Sequence, residues 1–530
     1  MTMKNSSLRQ WIPAIALALV ANAGLAAEPQ KGGTLFVALN PEPTVLNISY
    51  HNQYANAVVS SNIYEGLVVY DENQQPQPAL ATAWEVAPDG LSITFRLRQG
   101  VKWHDGTSFT SADVKFSALE IWKKLHPRGR VTFAPLKDVE TPDAHTVVFR
   151  LEHPALVILS ALNTAEAQVL PAHLYEGTDV RTNPYNNKPV GTGPFRFKKW
   201  EKGQFVELER NPDYWDAGKP HLDRLIFRTI PDAAARGAAL ETGEVQVVPF
   251  AGVPFSDVQR LRDNKELAFT KKGYEYNSQI YYLEFNIRNA PLSNVKVRQA
   301  LAHAINKQGL AETIFYGVTE AADSPIPKSL TRFYAQDIPR YDYDLKKAEA
   351  LLDEAGYPRQ ANGKRFAISI NLSPSSERFP FAGESLRQDF SRIGVELNPI
   401  ALDVASYLKA VYTDYKFDSL IQGYSTLMDP QMGLTRLFWS KAAKPGVSYA
   451  NATGYANAET DQIIEAYQRE ADPAKRVEQF HALQRQILTD LPAIPLVDAP
   501  FFTIYNKKLH GLDERPDASR SSYADAWLAK

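Results

Sequence analysis

Hydrophobic and polar positions alternate along this chain in two periods, and the two periods interleave. Ser92 to Leu97 (SITFRL) and Thr146 to Leu151 (TVVFRL) alternate with period two, the pattern of half-buried strands. Gly33 to Leu39, Phe205 to Leu208, Leu225 to Ile230 and Phe366 to Asn371 read as further strands. Helical spacing appears at Asp113 to Lys124 with Ser111 as N-cap, and at Val295 to Ile305. It recurs at Leu345 to Ala355, which closes at Gly356, and at Ala382 to Ile393. Thr460 to Arg469 and Ala474 to Leu488 form a helical pair. Pro492 and Pro495 interrupt that pattern before a closing strand at Val497 to Tyr505. Strands and helices alternating throughout predict a mixed α/β protein.

Length adds domain number. At about 100–200 residues per domain, 530 residues predict two or three domains. No repeat, low-complexity tract or flexible linker separates them, so several crossing strands are expected to join the lobes. The chain is 44% hydrophobic and 22% charged, ordinary for a globular protein. Its 25 Tyr, 25 Phe and 8 Trp suit a core and also suit walls around an organic ligand.

The first residues have a different pattern. Lys4 and Arg9 precede an apolar run, Trp11 to Ala21, then small residues up to Ala27, then polar Glu28. Basic, apolar and small segments in that order predict a cleaved secretory signal over 1–27, too short to span a membrane. No Cys occurs, so neither disulfides nor a lipid-modified cysteine is expected, and the prediction is a free protein of a Gram-negative periplasm. Without Lys4 and Arg9, 56 basic residues face 60 acidic ones, a net charge of −4 with no basic stripe, which argues against nucleic acid as a partner.

Motifs for chemistry are missing. The ten His form no His-x-His or His-Glu-x-x-His pair, and none lies within 420–440. There is no Gly-x-Ser-x-Gly elbow and no Cys nucleophile. No cofactor, metal or catalytic residue is assigned. A secreted hydrolase stays as a rival that only a cleft dyad would revive.

One set of motifs is specific. Asn62-Ile-Tyr-Glu-Gly-Leu-Val-Val-Tyr70 leads to Pro78-Ala-Leu-Ala-Thr-Ala-Trp84 and to Asp89 through Gly106, which ends in Val-Lys-Trp-His-Asp-Gly. Then come Phe109-Thr-Ser-Ala-Asp-Val114, Val190-Gly-Thr-Gly-Pro-Phe195, Arg210-Asn-Pro-Asp-Tyr-Trp215, Asn286 to Leu292, Val297 to Asn306, and Gly454-Tyr-Ala-Asn457. In order and spacing the chain resembles the extracellular solute-binding family typified by periplasmic dipeptide- and oligopeptide-binding proteins. Read as structure, Trp84 and Trp103 are packing anchors, Asp105-Gly106 is a turn, and Gly191 and Gly193 permit a tight backbone path.

The resemblance implies a two-lobed periplasmic binding protein fold, type II and cluster C-like. Lobe I would hold 28–270 plus 490–530, with an extra subdomain at about 60–185, and lobe II would hold 271–489. It implies a substrate-binding subunit of an ABC importer, expected to be a monomer, that closes on a peptide or peptide-like ligand and works with a permease and an ATPase. Opines, siderophores and oligosaccharides stay open as other ligands, and a chemoreceptor or sensor as another partner. Peptide-binding relatives place an Asp in a Gly-Trp-x-x-Asp loop to meet the ligand's amine. Here the stretch reads Gly423-Tyr-Ser-Thr-Leu-Met-Asp-Pro430: Tyr424 replaces the Trp, Leu427 stands where that Asp would be, and the loop is one residue shorter. Asp429 is then either a displaced amine anchor or a turn cap. Arg378 is either a carboxylate anchor, offset by about two residues from its counterpart, or a surface loop residue. Tyr424, Ser425 and Thr426 are candidates for stacking and hydroxyl contacts, Asn52, Gln53 and Tyr54 for the facing loop, and Trp439 for a further aromatic or a core residue.

Overall fold

The computed structural model describes residues 28–530, so the expected signal segment lies outside the described residues. Two large sheets organise the chain. The first has seven strands in the order Leu267–Thr270, Thr503–Asn506, Val247–Val248, Thr34–Leu39, Arg224–Thr229, Phe205–Arg210 and Phe195–Glu201. The second has six: Glu320–Ala321, Ala493–Ala499, Gln279–Phe285, Ser419–Ser425, Phe366–Leu372 and Val395–Ala401. Each sheet has its own apolar cluster, and these make two lobes. A separate four-stranded antiparallel sheet, Ala81–Val86, Ser92–Leu97, Thr146–Leu151 and Leu136–Asp143, packs into the core of the first lobe.

Local sequence explains many of the element boundaries. Asp344 accepts from the Lys347 N–H at 3.0 Å to start the Leu345–Glu354 helix, and Gly356 takes the left-handed backbone (φ 87°) just beyond it. Asp472 does the same for Pro473–Asp490, accepting from Ala474 N–H at 2.8 Å. The helix predicted from Asp113 begins at Ser111, with Thr110 rather than Ser111 at the cap position. Its first turn is held by Asp113, which accepts from the Thr110 N–H at 2.9 Å, and the Ser111 hydroxyl donates instead to the Asp143 carbonyl at 2.6 Å. Trp103 is buried, with its indole N–H on Asp113. Gly191 has a steric cause: a Cβ there would sit 1.8 Å from the Ile63 carbonyl oxygen.

The largest departure from the sequence pattern is at residues 493–506. One closing strand was expected after Pro495; there are two, in different sheets. Pro495 lies inside Ala493–Ala499, opposite Tyr282, where the register with Gln279–Phe285 shifts by a bulge. A proline has no N–H to give to a ladder, and a bulge is where a strand tolerates that. By sheet membership the chain passes from the second sheet to the first between Ala499 and Thr503. It crosses between the sheets twice, at 271–278 and at 500–502.

The lobes touch. Leu427, Met428 and Met432 of the second lobe pack into the core cluster of the first. Val318 packs against the cluster that holds Phe502 and Ile504. The Gln74 amide donates to the Ser329 carbonyl at 3.2 Å.

Candidate functional site

The space where the lobes meet is walled first by aromatics. Gln53 caps the Tyr54–Ser60 helix with extended backbone and an exposed side chain, while Asn52 is half-buried. Tyr54, at the first helical position, faces Phe250 with ring centroids 4.6 Å apart. Phe250 and Ala251 both take left-handed backbone (φ 56° and 52°), a costly conformation for a bulky residue. Two hydrogen bonds hold it: Phe250 N–H to the Tyr274 hydroxyl at 2.8 Å, and Ala251 N–H to the Phe502 carbonyl at 2.9 Å. The turn aims the Phe250 ring at Tyr274 (5.2 Å) and Phe501 (5.5 Å), one from each crossing. Beside this wall lies a cavity of 110 Å³ lined by Asn40, Tyr54, Arg236 and Phe250. Burial pushes the Tyr54 hydroxyl up to about 12, so it is a neutral donor.

Arg378 reaches the same boundary from the second lobe, just before the Phe379–Arg392 helix. Its guanidinium lies 5.7 Å from the ring of Phe255 in the first lobe and 5.3 Å from that of Tyr316. Its Nε is buried with no hydrogen-bond partner, and among the described residues it makes no ion pair. Tyr54 and Arg378 thus border one loop, 250–255, at its two ends.

The other candidates are differently engaged. Asp429 caps Pro430–Gly433, accepting from Gln431 N–H at 2.9 Å. It also accepts from the Tyr467 hydroxyl at 2.7 Å and from Arg476 Nη2 at 2.6 Å. With the Asp429 and Arg476 side chains 4% and 2% exposed, this is a buried ion pair, and the carboxylate already has its countercharge. An amine would have to displace Arg476 to reach it. Leu427 takes left-handed backbone (φ 66°) and buries its side chain in the first lobe, so the position where the resemblance implies an anchoring Asp holds an apolar side chain. Tyr424 points into the second lobe: its hydroxyl is 3.0 Å from that of Tyr412 and its ring 5.9 Å from Tyr282. Burial pushes the nearby Glu284 carboxyl up to about 7. Ser425 donates to the Asn277 carbonyl at 2.9 Å, and Thr426 is buried. Trp439 is half-buried against the second lobe's core, with its indole N–H 3.4 Å from Glu465.

A charged cluster at the boundary escaped the sequence reading. Arg128 Nε donates to Glu166 at 2.8 Å, its Nη2 makes a second, shorter bond, and the Tyr276 hydroxyl donates to the same carboxylate. The Arg520 guanidinium lies 5.9 Å from the Tyr276 ring. Arg436 of the second lobe feels Arg128 across the boundary; burial, then that neighbour, hold its guanidinium below the usual arginine value. Arg436 is exposed to solvent. Nothing local in the sequence marks these arginines: Arg436 and Arg520 sit in short helical turns and Arg128 just before one.

The two lobes are joined by two crossings, and their boundary has an aromatic wall and, among the described residues, cations without an ion-pair partner. The chain is 30% identical over 540 residues to the glutathione-binding protein GsiB of Pectobacterium atrosepticum, covering 98% of this chain and 99% of that protein. It is similar to the structure of the oligopeptide-binding protein AppA of Bacillus subtilis in complex with a nonapeptide (TM-score 0.75, 26% identity, 95% and 100% of the two chains). It is likewise similar to the structure of AgaA of A. tumefaciens R10 in complex with agropinic acid (TM-score 0.73, 26% identity, 94% and 99%). The model of the bacterial extracellular solute-binding proteins, family 5, matches residues 75–446. By that match and by its two-lobed fold, this chain belongs to the bacterial extracellular solute-binding proteins of family 5.

Proposed function

We propose that this protein is the periplasmic receptor of an ABC importer, that it takes a peptide or peptide-like molecule between its lobes, and that it does no chemistry on it. The lobes would be 28–270 with 503–530, and 279–499, closing about the 271–278 and 500–502 crossings. The closed receptor would dock on a membrane permease driven by a separate ATPase. The names of GsiB and AppA favour a peptide, and that of AgaA keeps a non-peptide acid as the alternative. The signal pattern over 1–27 supports export, and no helix among the described residues is long and apolar enough to cross a membrane.

The observation that carries the ligand reading is Arg378: a cation at the lobe boundary, between rings from both lobes, with a buried Nε and no counterion. A ligand carboxylate would supply the charge-assisted bonds it lacks, while Tyr54, Phe250 and Phe501 offer flat faces for the rest. Asp429 serves as a structural cap in this reading.

A thermal-shift screen tests it. A ligand that binds only the folded state at about 100 times its Kd adds roughly 2.7 kcal/mol. Dipeptides, tripeptides, glutathione and opines should shift the melting temperature, and Arg378→Ala should remove most of the shift for ligands with a free carboxylate. Full shifts in Arg378→Ala would overturn the anchor. Shifts confined to opines would replace the peptide with its alternative.

A further inference from the structure

The cavity beside the aromatic wall is lined by donors that the described residues leave unused. Asn40, Tyr54 and Arg236 bound its 110 Å³ on the polar side, and the turn at Phe250, Ala251 and Gly252 closes it. Arg236 is 8% exposed and held in place by backbone. Its Nε donates to the Gly252 carbonyl, and its Nη1 donates to the Ile230 and Pro231 carbonyls at 2.7 and 2.8 Å. Its Nη2 donates to none of the described residues. The Tyr54 hydroxyl and the Asn40 side-chain amide likewise make no hydrogen bond among them. Three polar groups with capacity to spare therefore converge on one space.

That space is also positive. Carbonyls offer dipoles to Arg236 and no countercharge, and among the described residues it makes no ion pair. Asp232, four positions earlier, accepts from the Ala235 N–H at 2.7 Å as the cap of the Ala233–Glu241 helix. No acidic residue lines the cavity. A guanidinium has only donors and stays charged, so an anion is the partner this lining suits. Size narrows the choice. A water takes about 30 Å³ of liquid, so the cavity holds roughly three or four water volumes, enough for a carboxylate with a methylene or two. The closing turn is strained, with Phe250 and Ala251 at φ 56° and 52°, and strain of this kind clusters where ligands are clamped.

We propose that Arg236, Tyr54 and Asn40 form a carboxylate subsite in the first lobe, and that the ligand seats a compact acidic group there, separate from the carboxylate that Arg378 takes. This rests on the receptor reading above and deepens it: the ligand is a small peptide-like molecule with two acids. The two cations stand at different points of one loop, Arg236 on the Gly252 carbonyl and Arg378 beside the Phe255 ring. A ligand that reaches both bridges the lobes.

Titration calorimetry on the purified protein compares each acid with its own amide: Ala-Glu against Ala-Gln, and succinate against succinamate. Each acid should bind at least tenfold more tightly than its amide. Tyr54→Phe keeps the ring that packs on Phe250, removes only the hydroxyl, and should cut that ratio below threefold. Asn40→Asp sets a carboxylate of the protein in the cavity and should bring the ratio to one or less. Arg378→Ala should weaken acid and amide alike and leave the ratio as it is. Equal affinities within both pairs, or a ratio that either Tyr54→Phe or Asn40→Asp leaves at the wild-type level, would overturn the subsite and leave the peptide reading standing. Succinate binding that Asn40→Asp abolishes, with no binding of either dipeptide, would sink the peptide reading and leave the subsite. Binding of neither acid would overturn the subsite.

Discussion

Replacing Arg476 with Met should destabilise the protein strongly, and the reason is Asp429. The pair is buried on both sides, 4% and 2% exposed, and joined at 2.6 Å. Breaking a buried ion pair from one side typically costs about 3–5 kcal/mol, because the remaining charge has lost its compensation in a poor solvent. Asp429 would keep the Tyr467 hydroxyl and the Gln431 N–H, which favours the lower end of that range. The Tyr467 carbonyl, which now accepts from Arg476 Nη1 at 2.9 Å, would lose its donor, roughly 1 kcal/mol more. The entropy of unfolding is about 2.1 cal/mol/K per residue. Over residues 28–530 that is about 1 kcal/mol/K, so the melting temperature should fall by about 3–5 °C. Asp429→Asn keeps a capping side chain but strands Arg476, and should cost a similar amount. The double variant has no buried charge left and should recover about 2–3 kcal/mol relative to the sum of the singles. Urea unfolding of the four proteins, with and without ligand, is the assay. Should Arg476→Met cost under about 1 kcal/mol, or Asp429→Asn fold normally and abolish ligand shifts, Asp429 would be an amine anchor and the structural role assigned to it would be wrong.

Other outcomes follow from named contacts. Glu284 is buried with its carboxyl pushed up to about 7, so the folded chain holds a proton that the unfolded chain releases above about pH 4.5. Its contribution to stability therefore falls as pH rises from about 4.5 to 7 and is flat above; Glu284→Gln should gain about 2–3 kcal/mol on wild type between pH 5 and pH 8, and a pH-independent difference in urea midpoints would refute this. Gly191→Ala would drive a Cβ to 1.8 Å from the Ile63 carbonyl and should cost at least ~3 kcal/mol, visible as lost soluble yield. Gly100→Ala, at φ 76° with open space around it, should cost only about 1–2 kcal/mol; equal losses at the two glycines would mean that the close approach at Gly191 is not what constrains it.

Much of the fold could be read locally, because its causes are local. Ser92–Leu97 and Thr146–Leu151 have the bounds that their period-two alternation predicts. Leu345–Glu354 begins beside an Asp and ends before a Gly for reasons contained within a dozen residues. The extended motif series likewise sufficed for the family, since it spans most of the chain. Pro495 misled because its cost is met by a bulge in register with Gln279–Phe285, more than two hundred residues earlier.

The candidate site was less legible. Tyr54 and Arg378 lie against Phe250 and Phe255, two ends of one loop whose path depends on a left-handed turn held by Tyr274 and Phe502. What Asp429 does was undecidable from Gly423–Pro430 alone, because its countercharge lies 47 residues away. Arg520 owes its unpaired state to Arg128 having taken Glu166. Periodicity and capping depend on neighbours in the chain, so sequence determined the elements. A charge is defined by what faces it across a lobe boundary, and only the tertiary structure decided which cations were left without a partner.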